Sequence, residues 1–416
     1  MSIVTSIKLL IIIIASLMIF TIALIIMNIY LIAVNIKMIG KEIIEPSNNI
    51  TPINDGSELV SPTDKKLTQE MEVSLPESES LGQRVFPNED CESSDSRISL
   101  QIDLPKIVDE GEDAPPLLSP IKDGNVLGVF DGMGGAGAEL YQIDNQKHTG
   151  AYYASRIVRD VVEQFSLSNS VFDMDIEVLS NSLKDEIKNG LQRERDMMSV
   201  SHSLLVSKMI KTLPTTMAVS YISIKENYWI LRVLWAGDSR IYVLTPDRGL
   251  CQLTKDDLRI EQDPFQNLYN DSSLNNMVNL SQDFDINSKE YEFTTPCVVI
   301  AATDGCFGYY PSPMHFEDLL LGTMALCQSV EEWKLLLIEK LREVACDDCS
   351  MSLISNVGEF SILKNIFRER NTFISQELAK IETEINENAN NGADKNAARE
   401  ILEKHWAAYK VSNYPF

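Results

Sequence analysis

The sequence is poor in the residues that build zinc sites and disulfide frameworks. It contains 4 His and 7 Cys among 416 residues, and the histidines show no ligand spacing. The cysteines are odd in number and scattered, and the C-x-x-C at 346–349 has no second copy. Neither a zinc module nor a secreted disulfide scaffold is therefore indicated, and reduced thiols are typical of the cytosol.

Positive charge is also scarce. Lys and Arg total 36 against 61 Asp and Glu, which gives a net charge of −25. Because phosphate backbones are bound mainly by Lys and Arg, and no basic cluster occurs, nucleic acid is not an expected partner. A chain this acidic needs a metal cation or a well-placed arginine to bind any phosphorylated partner.

Charge is missing altogether from residues 9–34, LLIIIIASLMIFTIALIIMNIYLIAV. As a helix at about 1.5 Å per residue this run exceeds the ~30 Å hydrocarbon core, and it lacks the cleavage pattern of a signal peptide. We predict a transmembrane anchor over residues 1–40 of a single-pass protein. Lys8 precedes the run and Lys37 and Lys41 follow it, which favours a cytoplasmic soluble domain.

Composition and periodicity divide the rest of the chain into three parts. Residues 41–81 are rich in Pro, Ser, Asn and Glu and are predicted to be a flexible linker. Residues 82–357 alternate strand and helix patterns and are predicted to form the soluble domain. Residues 358–416 are predicted to be a helical extension, in which Leu402, Trp406 and Tyr409 share one helix face. That face either packs on its own domain or docks a partner.

The alternating patterns predict an α+β fold. β-rich runs follow one another closely at 215–224, 228–235 and 241–244, which favours antiparallel pairing. Helical spacing at 150–165, 176–210 and 329–344 predicts helices between and outside the sheets.

Several apolar strands run directly into acidic residues. VLGVF leads to Asp131, LRVLWAG leads to Asp238, VVIAAT leads to Asp304, and Asp347 and Asp348 precede the last β-rich run. Each Asp-Gly taken alone is typical of a turn after a strand. Carboxylates at several strand ends of one sheet system repel each other unless a cation lies among them, and Mg²⁺ and Mn²⁺ prefer oxygen ligands.

The order of these motifs resembles that of the metal-dependent protein phosphatases, the protein phosphatase 2C family, and its bacterial members in particular. The matching pieces are Arg84 with NED at 88–90, VFDGMGG at 129–135, PTTMAV at 214–219, AGDSR at 236–240, LTKDD at 253–257, ATDGCFG at 302–308 and DDCS at 347–350. The resemblance implies two packed antiparallel β-sheets flanked by helices, an α-β-β-α sandwich. It also implies hydrolysis of phosphoserine and phosphothreonine in proteins.

Roles for the acidic residues follow from the same resemblance. Asp131 would bridge two ions of Mn²⁺ or Mg²⁺, and the carbonyl of Gly132 would bind one of them. Asp304 and Asp347 would bind one metal, with help from Asp90.

The resemblance gives further residues more distant roles. Glu89 would contact the metals through water, and Asp238 would hold a third, weaker metal with Asp304. Arg84 would bind the substrate phosphate, although it lies one residue farther from the acids than is common in the family. Met133 stands where many members have His, so water would protonate the leaving group.

Residues 91–125, which include DEGEDAPP, are interpreted as an insertion, either a solvated loop or a substrate-selecting element. Two other functions remain open. One is a catalytically inactive domain of the same fold that binds partners at the membrane, which loss of Asp131, Asp304 or Asp347 would have favoured. The other is a membrane scaffold, which leaves the carboxylates unexplained.

Overall fold

The computed structural model describes residues 97–107, 110–143, 146–200, 210–225, 228–260, 263–269, 272–390 and 395–413. They all fall within one unit of the chain, Glu89–Phe416. The predicted anchor and linker lie outside the described residues, as do Arg84, Glu89 and Asp90. Within the described part, no helix has both the length and the apolar character needed to cross a membrane.

Two five-stranded antiparallel sheets form the centre of the fold. The first has the order β1 (Ser99–Leu104), β13 (Cys349–Ser355), β12 (Val298–Ala302), β9 (Arg240–Thr245) and β10 (Gly249–Gln252). The second has the order β11 (Asn287–Phe293), β8 (Trp229–Ala236), β7 (Met217–Ile224), β3 (Gly124–Val129) and β2 (Leu117–Ile121). A small third sheet contains β5 (Gln146–Thr149), β4 (Leu140–Ile143) and β6 (Ser199–Val200).

The two large sheets pack face to face through alternate side chains of their strands. Leu127 and Val129 of the second sheet share one buried cluster with Ile241, Val243 and Val299 of the first. Successive strand residues point to opposite faces, so the same strands also supply the outward-facing cores on which helices pack.

Two helices cover the second sheet. These are α1 (Gly150–Ser168), which the Thr149 hydroxyl caps by accepting from Tyr152 N–H, and α2 (Ile176–Met197), which Asp175 caps. α2 continues through Gly190 without a break. A Cβ at Gly190 would lie 2.4 Å from Val161 Cγ2, so glycine is what lets α1 and α2 approach closely here.

The first sheet is covered from its other side by helices that follow in sequence. After two short helices, α3 (Pro264–Asn267) and α4 (Asp304–Phe307), come α5 (Pro313–Leu326), α6 (Val330–Val344), α7 (Phe360–Asn390) and α8 (Lys395–Asn413). Leu402, Trp406 and Tyr409 of α8 are buried in the same core as the first sheet. The predicted apolar face thus packs on its own domain, and the predicted pair of antiparallel sheets flanked by helices is confirmed.

One part of the sequence interpretation was wrong. Residues 91–125 were taken as an insertion, but their described part contains β1 and β2, one in each large sheet. β1 pairs with β13 in the register Ser99↔Ile354 to Leu104↔Cys349. Its alternate residues Ile98, Leu100 and Ile102 are buried, so it completes the core rather than forming a solvated loop.

Candidate active site

Carboxylates gather where β3, β8 and β12 end. Asp131 follows β3, Asp238 follows β8, and Asp304 opens α4 directly after β12. Burial, followed by the charges of Asp113, Asp304 and Asp238, holds the pKa of Asp131 well above its usual range. The structure therefore brings together three of the aspartates that the sequence predicted, with Asp113 as a fourth member.

Asp113 lies deepest in this cluster, with 5% of its surface exposed. Its Oδ2 accepts a hydrogen bond of 2.9 Å from the Thr303 hydroxyl. Burial, then the nearby charge of Asp348, raises the pKa of Asp113 to about 8. Asp113 also lies close enough to Asp131 for its charge to raise the pKa of Asp131.

Asp238 and Asp304 extend the cluster toward the first sheet. Burial, then the charge of Asp304, raises the pKa of Asp238 to about 8. The side chain of Asp304 reaches solvent, yet the surrounding protein removes much of its hydration and raises its pKa, with Asp347 adding repulsion. Arg240 opposes both shifts with its positive charge.

The adjacent residues Asp347 and Asp348 make different contacts. Asp347 is exposed and close enough to Asp304 for its charge to raise the pKa of Asp304. Asp348 instead binds backbone: its Oδ1 accepts from Lys106 N–H at 2.7 Å and its Oδ2 from Glu112 N–H at 2.6 Å. Asp348 thereby fixes the loop between β1 and β2 against the start of β13.

Glu112 points its carboxylate at the glycine-rich loop that follows Asp131. Its Oε1 accepts a 2.6 Å hydrogen bond from the Thr149 hydroxyl. A Cβ at Gly134 would lie 1.8 Å from Glu112 Oε2, and one at Gly132 would lie 2.4 Å from the Glu112 carbonyl oxygen. The glycines of this loop are thus needed to admit Glu112 beside Asp131.

Arg156, on α1, supplies positive charge on the other side of the same loop. Its Nη2 donates to the Gly111 carbonyl at 3.1 Å and its Nη1 to the Glu112 carbonyl at 3.3 Å. The guanidinium also lies over the Tyr152 ring, with Cζ 3.5 Å from the ring centroid. Arg156 therefore holds the backbone that carries Glu112 and Asp113.

Sequence reasoning missed Glu112, Asp113, Asp348 and Arg156. The sequence NED at 88–90 matches the family motif residue by residue better than DEGEDAPP does, and the polar composition of DEGEDAPP is typical of a loop. A usable signal was present in the alternation of Ile98, Leu100, Ile102 and Leu104, which indicates a strand just before Glu112.

The donor set suits a hard divalent cation, because it consists of carboxylate oxygens and a nearby backbone carbonyl. Among the described His, Cys, Asp and Glu side chains, no three are already arranged around a metal position. Instead, Asp131 lies beside Asp113 and Asp304, and their charges raise its pKa. A bound cation would offset this repulsion, so the donor types present fit a divalent metal.

Comparison with known proteins gives matches at the level of solved structures. No protein-family model and no curated protein matches the sequence. A bacterial serine phosphatase is 16% identical, with 63% of this chain and 99% of that chain covered and a TM-score of 0.45. The serine/threonine phosphatase PstP of Mycobacterium tuberculosis is 17% identical, with 62% and 97% covered and a TM-score of 0.44.

A second structure of PstP comprises its catalytic domain with two manganese ions. It is 17% identical to this chain, with 62% of this chain and 96% of that chain covered and a TM-score of 0.40. These neighbours are bacterial serine/threonine phosphatases, the class that the motif order predicted.

Proposed function

We propose that this protein is a metal-dependent phosphatase that hydrolyses phosphoserine and phosphothreonine in other proteins. The observation that carries the proposal is the convergence of Asp113, Asp131, Asp238 and Asp304 at one end of the two sheets. Carboxylates this close destabilise a fold unless positive charge joins them, so the cluster is best explained by bound cations.

Two ions of Mn²⁺ or Mg²⁺ would be held by Asp131, Asp304, Asp347 and the carbonyl of Gly132. Asp238, with Asp304, would hold a third and weaker ion. When bound, such cations supply electrostatic stabilisation of the phosphoryl oxygens and activate water near neutral pH.

Glu112 and Asp113 are our candidates for the parts that the motif match gave to Glu89 and Asp90. Both sit beside Asp131, and Asp348 and Arg156 fix their backbone from opposite sides. We assign them these parts because of their position beside Asp131 and not because their sequence matches the family motif.

The protein's own groups have distinct tasks in the proposed reaction. Thr303 orients Asp113 by donating to its Oδ2. Because the pKa values of Asp113 and Asp131 are raised, these carboxyl groups must lose protons before both can bind a cation, and metal binding is expected to release protons. Arg84, which lies outside the described residues, remains our candidate for binding the substrate phosphate. No acid occupies position 133, so water would protonate the departing serine or threonine oxygen.

The full chain tests the proposal directly. We expect it to hydrolyse phosphoserine and phosphothreonine peptides with Mn²⁺ or Mg²⁺ and to stop in EDTA. Asp131→Asn should remove the activity. The matched control is Asp123→Asn, because Asp123-Gly124 is also an Asp-Gly pair but forms the turn between β2 and β3, with φ 66° at Asp123. Activity that persists in EDTA, or that survives in Asp131→Asn, would contradict the mechanism.

A catalytically inactive binding module is the second candidate. The observation that favours it is the lack of a ready-made group of three metal ligands among the described side chains. A full chain that binds phosphopeptides without hydrolysing any of them, whichever divalent cation is added, would decide for this alternative.

We also propose that residues 1–40 anchor the protein in a membrane and that the domain faces the cytoplasm. The uncharged run at 9–34 and the flanking lysines support this. Membrane fractionation and protease protection of intact cells or vesicles would test it. Recovery of the full chain in the soluble fraction would overturn the anchor.

A further inference from the structure

Helix α8 contacts one short segment of the domain, residues 263–269, which contains α3. The Asp263 carboxylate caps α3 by accepting from Phe265 N–H at 2.9 Å. The same carboxylate accepts from the Trp406 indole N–H and from the Lys410 ammonium group, both on α8. Trp406 is buried, so its N–H needs this partner, and Asp263 joins α8 to the start of α3.

The far end of the segment is held by α8 as well. The Arg399 guanidinium lies over the Tyr269 ring, with Cζ 4.6 Å from the ring centroid. The Tyr269 hydroxyl donates to the Pro311 carbonyl at 2.8 Å. Residues 263–269 are therefore fixed at both ends by contacts that include α8.

From this segment, hydrogen bonds lead inward to a buried ion pair. Asn267 Nδ2, at the end of α3, donates to Asp256 Oδ2 at 2.7 Å. Asp256 also accepts two hydrogen bonds from Arg240, at 2.9 and 2.6 Å, and the two side chains are only 2% and 3% exposed. The Arg240 guanidinium lies 4.1 Å from the centroid of the Phe307 ring, in the short helix that Asp304 begins.

The segment also forms part of a cleft. Leu268 and Tyr269 line a cavity of ≈ 340 Å³ together with Asp238, Asp304 and Tyr309. One wall of this cleft is thus formed by the segment that α8 contacts. Another wall carries Asp238 and Asp304, two of the candidate metal ligands.

We propose that α8 is a positioning element of the active site. Through Asp263 and Tyr269 it sets the cleft wall at Leu268 and Tyr269, and through Asn267 it sets the Asp256–Arg240 pair. The proposal rests on the proposed phosphatase function for its kinetic part, whereas its structural part can be tested without activity. Trp406, Lys410 and Arg399 act through other residues and are positioning residues.

The test uses the full chain with the double substitution Trp406→Phe and Lys410→Met. Both changes keep apolar bulk and remove the α8 donors to Asp263. The matched control is Lys404→Met, which removes another lysine ion pair of α8, with Glu384 of α7, that lies away from residues 263–269.

Two measurements are made on each variant. In hydrogen–deuterium exchange, the amides of residues 265–269 should exchange about tenfold faster in the double variant, as expected when the charge-assisted hydrogen bonds to Asp263 are lost, while β12 and β13 stay protected. With a phosphopeptide, KM should rise about tenfold and kcat should change much less, because the cleft wall and not the metal ligands is loosened. Lys404→Met should match the parent protein in both.

Several outcomes decide the matter. Unchanged exchange at 265–269, or faster exchange throughout the domain with an unchanged KM, would overturn the positioning role. Lys410→Arg should preserve the parental KM, and Arg399→Met should loosen the Tyr269 end alone. If the parent protein hydrolyses no phosphopeptide, the proposed function fails, and the exchange measurement still decides whether α8 positions this segment.

Discussion

Two of the acidic sites in the described part of the molecule differ in how their charge is balanced. At the junction of α5, α7 and α8, Glu317 is fully buried and accepts from Arg370 at 2.6 Å, from Leu250 N–H at 2.9 Å and from the Tyr409 hydroxyl. At the strand ends, Asp113 accepts a hydrogen bond from Thr303, but the charges of its acidic neighbours Asp348 and Asp304 raise its pKa.

The difference separates acids that hold the fold from acids that await a ligand. A buried carboxylate that serves structure is matched by a charged partner, because an unmatched one costs several kcal/mol. Carboxylates that face one another keep that cost until a cation is bound. Under the proposed function, the strand-end cluster is therefore the site that binds cations, although both sites are acidic.

The largest expected effect is on catalysis, from a substitution in the strand-end cluster. Asp131→Asn should lower phosphopeptide hydrolysis by roughly 10³-fold or more, because it removes the central anionic ligand from a metal-dependent reaction. The same change relieves repulsion with Asp113, so the melting temperature of the metal-free protein should stay the same or rise. Parallel rate and melting measurements check both parts, and a strongly destabilised metal-free variant would contradict the assignment.

The second prediction concerns the stability that the Glu317–Arg370 ion pair gives to the domain. Arg370→Met should destabilise the domain by about 3–5 kcal/mol, because it leaves Glu317 buried without its partner. Urea unfolding measures the loss. The double change Arg370→Met with Glu317→Leu should recover part of it, since both charges are then gone. Equal instability of the single and double variants would show that packing, and not the ion pair, matters at this site.

The third prediction uses pH to tell the two sites apart. Asp113 has a pKa of about 8 in the folded protein against an ordinary value of 3.8. A raised folded pKa gives stability that is fully present below about pH 4 and lost as pH rises through about 8. In EDTA, the free energy of unfolding should therefore fall by roughly 1–3 kcal/mol between pH 5.5 and pH 8.

Saturating Mn²⁺ supplies the control for that measurement. Bound metal keeps the carboxylates ionised, so the fall in stability should flatten or reverse when urea unfolding is followed by tryptophan fluorescence. A slope that is the same with and without metal would show that the cation does not bind at this cluster.

The smallest expected effect sharpens the role of Arg156. Arg156→Met should lower kcat/KM about 10–100-fold, as is typical when a group that supports metal ligands is removed. Arg159→Met, one turn further along α1, removes a partly exposed pair with Glu163 and a 3.2 Å hydrogen bond to the Pro115 carbonyl. It should cost about 1 kcal/mol of stability or less and lower kcat/KM much less than Arg156→Met does. Equal kinetic effects from the two substitutions would remove Arg156 from the site.

Much of the site was predictable because its residues lie in short sequence patterns that can be recognised without the fold. Apolar strands that end in Asp131, Asp238 and Asp304 are visible in short windows, and the structure places each where its strand stops. The helices α1, α6 and α8 were also evident from apolar spacing, although their ends differ by a few residues from the predicted ones.

What could not be predicted depends on pairing between distant parts of the chain. Glu112 and Asp113 become site residues only because β1 docks on β13 and Asp348 binds the intervening loop. No local pattern reports that contact, and the NED at 88–90 offered a competing match. The two Asp-Gly pairs at 123–124 and 131–132 make the same point, because one is a turn and the other heads the acidic cluster.

The pairing of β1 with β13 has a consequence for biosynthesis. The hydrogen bond from Glu112 N–H to Asp348 joins residues 236 positions apart, and the strand partners lie farther apart still. A ribosome-bound nascent chain that ends before residue 349 has no β13, so its first sheet is incomplete and Glu112 and Asp113 cannot yet meet Asp348. Long-range pairing of this kind forms late and slowly. The acidic cluster is thus expected to assemble only after β13 has been synthesised, and shorter nascent chains would carry most of its aspartates without being able to use them.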